Sequence, residues 1–161
     1  MNGRRAATLA TTVLFLFALT AMSGRPLEGQ AAADFSLPTL AGSNLSLTAY
    51  QGQEVLLHFW ATWCKPCVKE MPEIEAAHRA LKEKGLAVIA VNVGEEREAV
   101  ARFTDTHGFT FPVALDKNWD VASEYNIIGL PVSVFIGRDG RIKEVVQGGS
   151  LTRESIAARL N

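Results

Sequence analysis

The chain is expected to fold as an α/β protein with a central mixed β-sheet flanked by helices, and three observations point there. Residues 54–61 and 86–93 are apolar at nearly every position, as in strands buried on both faces of a sheet. Between and after them lie stretches of helical period, one through Val68, Met71, Ile74, Ala77 and Leu81, another through Ala99, Val100 and Phe103. Finally, Arg138-Asp139-Gly140 separates two strand-like segments, which turns the chain back antiparallel and makes the sheet mixed.

In chain order, Arg4 and Arg5 precede a run from Ala6 to Met22 broken only by threonines. A basic start followed by an apolar run is expected to act as a signal peptide or an N-terminal membrane anchor over residues 1–23, and its length leaves the choice open. Ala21 and Ser23 place small residues where a signal peptidase reads, ahead of Gly24, and no Cys follows that would take a lipid. Residues 24–33 are small and polar and read as a linker, leaving 34–161 as one domain, enough to bury a core. The full chain has 16 Lys and Arg against 17 Asp and Glu, a net charge of −1. That balance excludes an electrostatic nucleic-acid binder.

Short alternating pieces at 35–38 and 45–47 surround Gly42-Ser43-Asn44 and predict a small hairpin. The 54–61 strand follows. From Cys64 a helix is expected to run to Gly85, with Pro72 inside it removing one backbone donor and bending it. After the 86–93 strand, Gly94 turns the chain, and Glu95 and Glu96 place carboxylates at the start of the next helix. Residues 111–115 read as a short strand, and 119–125 as a helix capped by Asp116 or Asn118. Residues 132–136 and 141–146 form the antiparallel pair, and 151–160 a C-terminal amphipathic helix.

Chemistry concentrates at one place. Cys64 and Cys67 are the only two cysteines, three apart, where the strand pattern gives way to the helix pattern. Two intervening residues let both sulfurs lie on one side of the first helical turn, where they can form and break a bond reversibly. A sulfur at a helix N-terminus faces unpaired N–H groups and the positive end of the macrodipole, which favour the nucleophilic thiolate. Lys65 adds a cation, Pro66 suits the first helical turn, and Trp63 offers an apolar flank for a partner chain. Zinc would need a second pair of ligands at metal spacing, and a purely structural disulfide closing so small a ring stabilises little. Two cysteines alone in an exported domain are the pair it would use for chemistry. No cofactor or metal is expected.

These residues resemble the thioredoxin superfamily, and within it the exported TlpA/ResA-type branch with a redoxin domain. The likeness rests on 33–38, on 55–72 through Trp63-Cys64-Lys65-Pro66-Cys67, on 125–131 with its Gly129-Leu130-Pro131, and on 135–140. It implies a thioredoxin-like fold in which 86–115, a strand, a helix and another strand, is the insertion that marks the branch. The resemblance also implies site residues. Cys64 would attack, Cys67 would resolve, and Pro131 would be a cis-proline facing the dithiol, leaving the Leu130 backbone free to pair with an extended substrate. Glu70, three residues after Cys67 on the same helix face, would take the Cys67 proton. His58 departs from the family pattern; a proton relay to Cys67 is one reading of it, and a neutral core histidine bonded to backbone is the commoner outcome.

The function implied is an exported thiol-disulfide oxidoreductase that reduces protein disulfides, apocytochrome c among its candidate clients, with a membrane thiol-disulfide protein as electron donor. It would act as a monomer in the bacterial periplasm or on the outer face of the cytoplasmic membrane. Two alternatives compete. A peroxiredoxin-like peroxidase needs a Pro-x-x-x-Thr-x-x-Cys setting that the residues before Cys64 do not supply. A Sco-like copper-binding assembly factor carries CxxxC, one residue longer than the spacing here.

Overall fold

A computed structural model describes residues 27–160. The segment expected as signal peptide or anchor, residues 1–23, lies outside the described residues. Strands β1 (Ser36–Pro38) and β2 (Asn44–Ser46) form the small N-terminal hairpin. They are followed by β3 (Glu54–Trp60), α1 (Lys65–Leu81), β4 (Leu86–Val93), α2 (Arg97–His107) and β5 (Val113–Asp116). The chain ends in α3 (Asp120–Glu124), β6 (Val132–Ile136), β7 (Ile142–Gln147) and α4 (Arg153–Ala157). The main sheet has the order β5-β4-β3-β6-β7; β4 is parallel to β3 and β5, whereas β6 is antiparallel to both β3 and β7. It is the mixed sheet the sequence predicts. Within 86–115, β4 is an inner strand beside β3, and β5 is the part that extends the sheet to a new edge.

Alternation along β3 divides the core in two. Val55, Leu57 and Phe59 face one side, packing with Ile89, Val91, Tyr125 and the hairpin residues Leu37 and Leu45. Leu56 and Trp60 face the other, with Met71 and Ile74 of α1, Phe135 of β6 and Ile156 of α4. Each fully buried Leu, Ile or Phe contributes about 1.5–3 kcal/mol. By the same alternation His58 points toward α1. The central strand thus delivers one polar side chain into the layer beneath the dithiol.

Several elements differ from their expected limits, each for a local reason. Helix α1 passes through Pro72 without ending, and a short 3-10 turn over Lys82–Lys84 leads to Gly85, whose φ of 95° closes the helix in the left-handed region. Strand β5 starts at Val113, just after a proline that has no N–H to give to a ladder. Helix α3 starts only after its N-cap residue Trp119, whose φ is 65°, and the Oδ2 of Asp116 accepts the Ala122 amide in its first turn at 2.8 Å. Helix α4 is shorter than 151–160 because a reciprocal capping box between Thr152 and Ser155 fixes its start. Leu151 is thereby left outside the helix.

Residues 29–33 are hydrogen-bonded to the rest of the domain. The Gly29 amide donates to Ile142 O at 2.7 Å, the Ile142 amide to Gln30 O at 2.9 Å and the Ala32 amide to Gly140 O at 2.9 Å. The Tyr125 hydroxyl donates to Ala33 O at 2.7 Å. The start of β7 would otherwise be an open sheet edge, and this segment satisfies its backbone groups.

Candidate active site

Strand β3 ends at the sheet's upper rim and the chain turns through Ala61, Thr62 and Trp63 into α1. Cys64 is the N-cap of that helix: its sulfur accepts the Cys67 amide at 3.3 Å, and its carbonyl accepts the Val68 amide at 3.0 Å. Pro66 occupies the first turn, where its missing N–H costs nothing. Cys64 and Cys67 are joined as a disulfide with a Cα–Cα separation of 5.3 Å. Cys67 is fully buried, whereas 4% of Cys64 reaches the surface. Of the two residues only Cys64 has any solvent-exposed surface, and its sulfur accepts a helix-terminal N–H, an environment that favours thiolate.

The Leu130-Pro131 peptide is cis, as the resemblance implies. A groove of about 720 Å³ runs beside it, lined by Leu27, Tyr125, Ile128, Leu130, Pro131 and Gln147 among others. Ile128 is 98% exposed and Trp63 64% exposed, two large apolar side chains turned to solvent on loops that flank the dithiol or lead to Pro131. Gly149 closes the other side. A Cβ on it would lie 2.8 Å from the Pro66 carbonyl oxygen, so only glycine lets this loop reach the first turn of α1.

Glu70 is buried, 3% exposed. Its Oε2 accepts the Leu151 amide at 3.1 Å. Burial raises its pKa above the ordinary carboxylate value, against the Leu151 and Ser150 amides, which lower it. Its Oε1 lies 3.8 Å from His58 Nε2. His58 is also fully buried, and burial pushes its pKa down to about 3, so the ring is neutral. Its Nδ1 is 2.9 Å from Ser133 Oγ on the neighbouring strand, a side-chain partner in place of the expected backbone one.

Of the four residues singled out from sequence, Cys64 caps α1, Cys67 and Glu70 lie in its first two turns, and Pro131 immediately precedes β6. Sequence reasoning missed Glu95. Instead of serving the start of α2, its carboxylate accepts the Thr62 amide at 2.7 Å, the Thr62 hydroxyl at 2.5 Å and the Asn92 side-chain amide at 2.7 Å. It thereby ties the end of β4 to the loop that leads into Cys64. The one signal for it is an Asn in a strand otherwise wholly apolar, followed by a turn glycine and an acid.

Comparisons with known proteins agree with this geometry. The sequence profile described as the AhpC/TSA family matches residues 28–145. The thiol-disulfide oxidoreductase ResA of Geobacillus kaustophilus (strain HTA426) is 39% identical over 132 residues, 82% of this chain and 75% of that protein. Among solved structures, one described as a thiol:disulfide interchange protein DsbE of Chlorobium tepidum superposes with a TM-score of 0.77 at 30% identity, covering 83% of this chain and 98% of that one. StoA of Bacillus subtilis superposes with a TM-score of 0.71 at 29% identity, covering 81% and 98%. The peroxidase alternative finds no support in the site, because the positions where its Pro and Thr would stand hold the buried Leu57 and Ala61. With a thioredoxin-like sheet, a helix-capping CxxC disulfide and relatives of this kind, the chain belongs to the AhpC/TSA family as a ResA-like thiol-disulfide oxidoreductase.

Proposed function

We propose that this oxidoreductase works as a reductant of protein disulfides outside the cytoplasm. The observation that carries the roles of the two sulfurs is the asymmetry of the pair, with Cys64 at the rim as the helix cap and Cys67 sealed beneath it. The Cys64 thiolate attacks a client disulfide, one client sulfur leaves as thiolate, and a mixed disulfide forms. Cys67 gives its proton to Glu70 and attacks the Cys64 sulfur, the second client thiolate leaves, and the Cys64–Cys67 disulfide remains. The raised pKa of Glu70 suits that role, since a base works best when its pKa approaches that of its task. Pro131 and the Leu130 backbone line the groove where an extended client segment would lie.

A donor must then return two electrons, and a membrane thiol-disulfide protein is the class that can bring them from the cytosol. The apolar N-terminal run would deliver the domain to that membrane, cleaved or retained, with the folded part a monomer. Apocytochrome c, whose paired thiols must be reduced before haem attachment, is the client class the family resemblance favours. The deciding experiment is the reduction potential of the Cys64–Cys67 couple, measured by equilibration with glutathione or dithiothreitol. A value near that of thioredoxin, about −270 mV, supports the reductant; a value near about −120 mV makes the protein a disulfide donor instead.

A further inference from the structure

His58 and Glu70 are the buried ionisable pair in the layer beneath the dithiol. His58 Nε2 and Glu70 Oε1 are both sealed from solvent, face each other at 3.8 Å, and have no other partner among the described residues. The separation lies within about 1 Å of hydrogen-bonding range. From β4, the residue opposite His58 is Ala90, which carries no charge. From β6 it is Ser133. The segment before α4 presents the Leu151 and Ser150 amides to Glu70, and α1 adds Cys67. Nothing charged on these elements competes for either group. Burial alone acts on His58, and burial leads the causes for Glu70.

We infer that His58 is a positioning residue for Glu70: the Ser133 hydroxyl donates to Nδ1, which leaves the imidazole proton on Nε2, aimed at Glu70 Oε1 in support of the carboxylate. The inference rests on the proposed role of Glu70 as the base that takes the Cys67 proton. In that step Cys67 S–H and the Glu70 carboxylate become Cys67 thiolate and Glu70 carboxylic acid. Nε2–H stays a donor throughout, because Oε1 accepts whether the group is charged or neutral. Burial raises the Glu70 pKa against the Leu151 and Ser150 amides, and a third donor would act in the same sense as those amides. The imidazole offsets part of that burial without adding a charge.

The test uses the full reduced chain and 5,5′-dithiobis(2-nitrobenzoate) as substrate. The first thionitrobenzoate released reports Cys64 attack, and the second reports resolution by Cys67. His58→Phe is expected to leave the first release unchanged and to move the pH midpoint of the second upward by about one to two units, the worth of one hydrogen bond to a charged group. His58→Gln, which restores a donor, is expected to recover at least half of that shift. An unmoved or lowered midpoint in His58→Phe overturns the inference. If His58→Phe does not fold, nitrogen-15 chemical shifts of the wild-type ring decide: an Nε2–H tautomer upholds it and an Nδ1–H tautomer overturns it. Failure of the underlying reading looks different, because Glu70→Gln would then resolve with the wild-type pH profile.

Discussion

The Glu95 carboxylate grips Thr62 twice, accepting its amide at 2.7 Å and its hydroxyl at 2.5 Å, across 33 residues of sequence. This fixes the turn between β3 and the CxxC from the side of β4. Glu95→Ala leaves both Thr62 donors and the Asn92 amide without their acceptor, at a cost of about 1–3 kcal/mol. The urea midpoint should fall accordingly with an unchanged slope. Glu95→Gln, which keeps one acceptor oxygen, should lose less.

Gly149 and Pro66 set a second constraint, on the approach of the β7–α4 segment to α1. Because a Cβ at 149 would lie 2.8 Å from the Pro66 carbonyl oxygen and 2.9 Å from its Cβ, Gly149→Val must push the 148–150 segment away from α1. Overpacking of this kind costs about 1–3 kcal/mol. Thermal denaturation of the variant should show a lowered midpoint, whereas Gly108→Ala, at a site with open space around it, should lose only the smaller cost of a left-handed alanine.

The two cysteines should behave unequally when replaced. Cys64→Ser is expected to abolish disulfide reduction altogether. Cys67→Ser keeps the Cys64 nucleophile and should accumulate a mixed disulfide with clients, visible by mass on non-reducing separation. Full turnover by either variant would refute the roles assigned to them.

For Glu70, the raised pKa gives a signed expectation for both rate and stability. Resolution should accelerate as pH rises through the Glu70 pKa, and Glu70→Gln should remove that limb, slowing resolution near neutral pH by about a hundredfold. An acid whose folded pKa exceeds its unfolded value supports folding below the unfolded pKa and loses that support as pH rises through the folded one. At neutral pH, therefore, Glu70→Gln should be at least as stable as the parent, which denaturant melts can check.

Glu75 behaves in the opposite sense. Burial raises its pKa, but the Thr110 amide at 2.9 Å, the Thr110 hydroxyl at 2.7 Å and Arg79 together outweigh burial and leave it lowered. Its contribution is present above the unfolded carboxylate pKa, about 4.3, and is lost as pH falls through the lower folded value. Glu75→Gln should destabilise the protein by about 1–3 kcal/mol at neutral pH, and the difference from wild type should shrink in acid.

Much of the molecule was legible in its sequence. The strands over Glu54–Trp60 and Leu86–Val93 declared themselves by unbroken apolarity, α1 by its period, and the dithiol by a strand-to-helix junction holding both cysteines. These are local properties, in which each residue's neighbours in sequence are also its neighbours in space. The limits of β5, α3 and α4 were less legible. They turn on a proline, a left-handed Trp119 and a reciprocal cap, details that periodicity does not carry.

Local patterning was enough for the fold class, the reactive pair and the helix turn that presents Cys64. Tertiary structure alone decided what surrounds them. Ser133 meets His58 from 75 residues away because β6 pairs antiparallel with β3, and Leu151 reaches Glu70 because α4 packs on α1. Glu95, in the turn between β4 and α2, holds Thr62 because β4 runs parallel beside β3 and ends at the same rim. Strand pairing and helix packing create these contacts between residues whose local patterns are independent, so no window of sequence contains both partners.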